Sequence, residues 1–244
     1  LLVIIWMDVL VNKGVFKMHE VFLDELRKLN TRFMGMGIDV SEAIEEATQA
    51  FVEHDKKLAQ SLVKDDQKVS RAATKVEKRT LKLMALQQPV ASDFRNVISI
   101  LKATNDLERI GENANSIAWE TIRVKGNPRI PEVEAIIKSM SKKVNFMLDQ
   151  VLKAYVQGDE KLAREVAKKD DEVDEDYVKA RKLIISGIKQ DPEAAVASSS
   201  YFMVIRLLER IGDHVVNLAQ WVIYKMSGEL VDLNTKDIDE MTEL

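Results

Sequence analysis

No cysteine occurs among the 244 residues. This excludes disulfide scaffolds, thiolate zinc sites, iron–sulfur clusters and cysteine nucleophiles. Breakers are scarce too, with 4 prolines and 9 glycines. A sheet-based chain of this length needs many turns, and turns draw on those residues. Aromatic residues make up only 6%, whereas charged residues make up 31%. That balance points to long helices. The formal charge is 36 − 40 = −4, so the chain as a whole lacks the basic balance of a nonspecific nucleic-acid binder. Long apolar runs are missing as well. The longest opens the chain, Leu1 to Met7, and Asp8 ends it, far short of the roughly 20 residues of a membrane helix. No positive region precedes it and no small-residue cleavage site follows, so it does not read as a signal peptide. With Met7 and Met18 downstream, residues 1–17 read as an extension ahead of the first domain.

Hydrophobic residues, 46% of the chain, suffice for a core. Their spacing is helical. Val21, Phe22, Leu26, Leu29, Phe33, Met36 and Val40 recur at three- and four-residue steps over 18–55. Similar spacing predicts a second helix over 57–86, and Pro89 opens a third that reaches Val124. Gly126, Pro128 and Pro131 make the clearest linker. Beyond it a fourth helix is expected over 132–155 and a fifth over 161–189, separated by a Gly158 stop and an Asp159 N-cap. Asp191-Pro192 caps and starts a sixth, which ends at Gly228. The expected fold is all-α: two tandem three-helix bundles over 18–126 and 131–228, then a frayed acidic tail over 229–244.

The bundles are copies. Leu107-Glu-Arg-Ile-Gly111 equals Leu208-Glu-Arg-Ile-Gly212, an offset of 209 − 108 = 101. Phe51 to Ala59 resembles Tyr155 to Ala163, an offset of 159 − 55 = 104. Each copy repeats carboxylates one helical turn apart. Glu108 and Glu112 share a helix face, as do Glu209 and Asp213, and Asp170 and Asp174. The position matching Asp174 in the first copy is Ser70, leaving Asp66 alone on that helix. Like charges at this spacing repel by a few tenths of a kcal/mol, which a cation between facing helices relieves. The expected metal ligands are thus Asp170, Asp174, Glu209 and Asp213 in one bundle, and Asp66, Glu108 and Glu112 in the other. Asn113, His214 and Asn217 are placed to complete or support coordination. Arg109 and Arg210, a step round the helix, are expected to pair with other helices or face a partner.

Other chemistry finds no support. No Glu-x-x-His, phosphate loop, His-Glu-x-x-His or Gly-x-Ser-x-Gly motif is present. A catalytic residue is therefore not expected. The alternatives that stay open are a helical scaffold with solvated acid pairs and a metal-dependent hydrolase with an open coordination position.

The doubled Glu-Arg-Ile-Gly-(Glu/Asp) block, the run Leu86-Gln-Gln-Pro-Val-Ala-Ser-Asp-Phe-Arg95 and the stretch Leu29-Asn-Thr-Arg-Phe-Met-Gly-Met-Gly37 resemble the PhoU family over about 18–226. The resemblance implies two pseudo-symmetric bundles, often dimeric. It implies a cytoplasmic negative regulator of phosphate-starvation signalling, linking a phosphate ABC transporter ATPase at the membrane to a sensor histidine kinase. It implies metal clusters, iron foremost with zinc, manganese or magnesium as alternatives, on acidic residues four apart. Glu209 with Asp213 and Asp170 with Asp174 fit that motif, Glu108 with Glu112 departs conservatively, and Ser70 removes one carboxylate. A diverged adaptor serving another transporter is the alternative within the same resemblance.

Overall fold

The structure, a computed structural model, describes residues 2–65, 67–124 and 129–234, with side chains from residue 19 onward save 197. All regular elements among them are helices: α1 (Leu2–Val52), α2 (Lys56–Lys64), α3 (Gln67–Gln87), α4 (Ala91–Arg123), α5 (Pro131–Gln157), α6 (Glu160–Lys168), α7 (Asp170–Gln190), a 3-10 turn (Pro192–Ala194) and α8 (Ala195–Ser227). None of them is long and apolar enough to cross a membrane. The first helix runs unbroken from Leu2 through the stretch expected to be an extension.

The middle rod of each repeat is broken where the sequence reading expected continuity. In the first repeat α2 ends at Lys64 and α3 begins at Gln67; in the second, Lys169 both ends α6 and precedes α7. In the second repeat charge explains the break. Lys168 closes the last turn of α6, and Asp170, Asp171 and Glu172 fill the first turn of α7. Cations favour helix C-termini and anions N-termini, so a Lys-to-Asp switch reads as a stop and a restart. The caps expected at Asp159 and Asp191 form, Asp191 accepting from the Glu193 amide at 3.0 Å, and Asp55 adds one that was not expected. The Asp55 carboxylate accepts from the Lys57 and Leu58 amides, and Asp159 accepts from the Leu162 amide at 2.9 Å. Gly158 closes α5 and Gly228 closes α8, both left-handed, at φ 66° and 83°. At the position of Gly158 the first repeat carries His54, also left-handed at φ 57°.

Helices α1, α4, α8 and α5 pack around one another, with α2 and α3 laid on α1 and α4, and α6 and α7 on α5 and α8. One hydrophobic cluster runs through both repeats. Matched positions of α1 and α5 are buried together: Phe33 with Ile137, Met36 with Met140, Val40 with Val144. Four residues of the stretch 29–37 serve packing. Leu29, Phe33 and Met36 are buried, the Phe33 ring lies tilted against Tyr155 with centroids 4.8 Å apart, and Gly37 leaves room for Leu152 of α5. The start of the tail is docked where fraying was expected: Val231 and Leu233 pack on the core, and Asn234 Nδ2 donates to Asn217 Oδ1 at 2.9 Å. Residues 235–244 lie outside the described residues.

At one end of the molecule a carboxylate is enclosed. Glu134 of α5, 6% exposed, accepts two bonds from Arg129 (2.9 and 2.7 Å) and one from the Tyr201 hydroxyl (2.6 Å). His54 Nε2 lies 3.2 Å away, and Arg129 also donates to the Val52 carbonyl. Burial pushes this carboxyl up, but the bonds from Arg129, Tyr201 and His54 outweigh it and hold it below the usual carboxylate range. The network ties the end of α1 to the start of α5 and to α8.

Candidate functional site

The second repeat gathers its expected carboxylates at the α7–α8 contact. Asp170, the first residue of α7, is buried, and its Oδ1 presses on α8 at Gly212 so closely that a Cβ there would collide with it. Gly212 lies between Glu209 and Asp213 on α8. The glycine of the repeated block is therefore what lets an acidic side chain reach the α8 backbone. Glu209 is buried and accepts from Arg206 Nη1 at 2.7 Å, whereas Asp174 and Asp213 are half-buried. Arg206, one turn earlier on α8, forms an ion pair with Glu209, and Arg210 is exposed.

The first repeat has the same helix contact. A Cβ at Gly111 would meet Val69 Cγ1 at 2.9 Å, and at Gly212 the matching valine, Val173, lies 3.8 Å from the same point. Glu108 is half-buried, and Glu112 is exposed and paired with Arg109 on its own helix at 2.8 Å. Asn113 is buried, and its Nδ2 has no hydrogen-bond partner among the described residues. The expected ligand Asp66 lies outside the described residues.

His214 and Asn217 do not stand behind the acid pair of α8. Both turn to Asp106 of α4. His214 Nδ1 lies 3.0 Å from Asp106 Oδ1, Asn217 Nδ2 donates to it at 3.2 Å, and Trp221 Nε1 donates to Oδ2 at 3.0 Å. Asp106 is 7% exposed and joins the two repeats across α4 and α8. The sequence reading missed it. Its signal was an acid at an apolar place, since 106 + 101 = 207 and Leu207 is buried at that place in the second repeat.

The acidic set suits a hard or borderline cation in kind, being all oxygen with one member already seated on the α8 backbone. Among the described residues no group of three or more histidine, aspartate or glutamate side chains stands ready to hold a metal ion.

The sequence profile of the PhoU domain matches this chain twice, over residues 33–121 and 137–222. The chain belongs to the PhoU family. The two matches coincide with the two repeats described above. A phosphate-specific transport system accessory protein PhoU homolog of Streptococcus pneumoniae is 34% identical over 218 residues, covering 89% of this chain and all of that relative (100%). The homolog of Pseudomonas aeruginosa is 31% identical over 221 residues, covering 90% and 91%. Solved PhoU structures share the fold. The phosphate transport system regulatory protein PhoU of S. pneumoniae superposes with a TM-score of 0.81 at 32% identity, covering 86% of this chain and 99% of that one. PhoU of P. aeruginosa gives 0.80 at 31%, covering 85% and 100%.

Proposed function

We propose that the chain is a non-catalytic regulator of phosphate uptake. It holds phosphate-starvation signalling low when phosphate is plentiful by linking the phosphate ABC transporter ATPase to its sensor histidine kinase. The observation that carries this reading is the match of both repeats, over nearly the whole length of relatives named as accessory or regulatory proteins of phosphate transport. It acts as a homodimer in the cytoplasm, reaching the membrane through its partners. Its helices would present docking faces, and binding, not bond-making, would be its output. The test is a phosphate-starvation reporter in a host lacking its own PhoU. Expression of this chain in phosphate-rich medium is expected to lower reporter output. Unchanged output from soluble, folded protein removes the regulatory assignment and leaves an adaptor for another transporter.

Metal binding belongs to the same proposal. Asp170, Asp174, Glu209 and Asp213 would hold an ion in the second repeat, and Asp66, Glu108 and Glu112 in the first. The ion would neutralise crowded carboxylates and fix the spacing of α7 against α8. Protein purified without chelator is expected to carry metal by elemental analysis, and the Glu209→Ala, Asp213→Ala double variant to carry about half as much if both repeats load. Metal content unchanged in that variant rejects the ligand assignment.

A further inference from the structure

The acidic chain carries one strongly basic groove. Lys68, Arg71, Lys75, Lys78 and Lys82 recur at three- and four-residue steps on α3, within about 100° of one face and over about 21 Å of helix. All five are exposed. They line two adjoining hollows between α1 and α3, of about 560 and 660 Å³, that share Arg32 and Lys75. Three carboxylates also line the hollows: Asp39 pairs with Lys68 at 3.0 Å, Glu25 pairs with Arg79 at 2.8 Å, and Asp65 stands at one end, against seven cations. Among the described residues no carboxylate lies within ion-pair distance of Arg32, Arg71, Lys75, Lys78 or Lys82. Like charges one turn apart raise the energy of a helix. An anion in the groove relieves that.

The groove is not a leftover of the repeat. With the offset of 104, the second repeat places Glu172, Glu175, Lys179, Lys182 and Ser186 at these five positions, and Ile136 in place of Arg32. Charge was therefore gathered on one copy only.

We propose that this groove docks an acidic, amphipathic helical segment of a partner protein. Charge alone would also suit a polyphosphate. The lining decides against it. The floor is apolar, with Met36, Val76 and Leu83 buried in it, and Val21 and Leu86 stand 48% and 63% exposed at its end. A polyphosphate leaves those side chains in water. A helix with glutamates flanking an apolar ridge satisfies the cations and covers the apolar floor together. The inference concerns α1 and α3, not the carboxylates of α7 and α8, and does not rest on metal binding.

The test uses the full chain and a fluorescein-labelled peptide of about 18 residues, roughly 27 Å as a helix, with leucines along one ridge and glutamates on either side. Binding is followed by anisotropy. The triple variant Arg71→Glu, Lys75→Glu, Lys82→Glu is expected to bind about tenfold more weakly or worse. The variant Lys179→Glu, Lys182→Glu on the matching face of the second repeat is expected to bind like the wild type. These positions are exposed, and far-UV circular dichroism and Tm report whether each variant is folded. Equal affinity of wild type and folded triple variant overturns the proposal. So does equal affinity for a scrambled peptide of the same composition, or linear polyphosphate binding where the amphipathic peptide does not.

Discussion

Replacing Glu134 by alanine is expected to destabilise the protein by about 2–4 kcal/mol. The change strands the Tyr201 hydroxyl, on a residue 2% exposed, and removes the partner of Arg129. An unsatisfied buried group costs about 1–3 kcal/mol, and breaking a buried ion pair by removing one partner about 3–5 kcal/mol. Arg129 is 46% exposed at its side chain and regains water, which puts the expectation below the sum. Urea unfolding checks it, through a lower midpoint at unchanged slope. Acid adds a second signature. The Glu134 carboxyl is held below the usual range, so the unfolded chain takes up its proton first. Its contribution is complete above the unfolded value, near 4.3, and is lost as pH falls through the lower folded value. Glu134→Gln is expected to flatten that part of the acid-side decline. A Glu134→Ala midpoint matching that of an exposed control substitution contradicts the network.

Phe33→Ala is expected to cost about 3–5 kcal/mol, the range for a large aromatic removed from a packed core. Phe33 is 1% exposed and its ring lies against Tyr155 of the other repeat. The form of the unfolding curve is as informative as its midpoint. Because one hydrophobic cluster spans both repeats, the variant should still unfold in a single transition. Two separated transitions would mean that the repeats are independent domains, contrary to the shared core.

Particular residues show how far the sequence could be read. The three-and-four spacing of Leu29, Phe33, Met36 and Val40 is a local signal, and all four are buried. Gly158, Asp159 and Gly228 act through their own backbone and nearest amides, and each stands where its chemistry predicts. The break after Lys169 was also written locally, in the switch from Lys168-Lys169 to Asp170-Asp171, but apolar periodicity runs through it and conceals it. Asp106 shows the other kind of limit. Its three donors come from α8, more than 100 residues along the chain, and only packing brings them to it. Comparing the repeats points to an odd acid at that place without saying what answers it.

The acidic blocks sit between these cases. Their doubling was plain in the sequence, and so was the family. Which of them meet was not. Gly111 and Gly212 follow the same four residues, and which side chains of α3 and α7 come to lie over them is settled by helix packing. The basic face of α3 was likewise present in the spacing of its lysines, but its meaning depends on which side of α3 rests on α1.

By itself the sequence determined an all-helical chain, its helix ends at Gly158, Asp159 and Gly228, its internal duplication and its kinship, because helix propensity, capping and apolar period act over a few residues and repeats survive as identity. The tertiary structure decided that the two copies share one core, that Asp106 and Glu134 are buried with partners, and that the cations of α3 border an open groove. Those outcomes depend on which faces meet after folding, when distant side chains exchange water for one another.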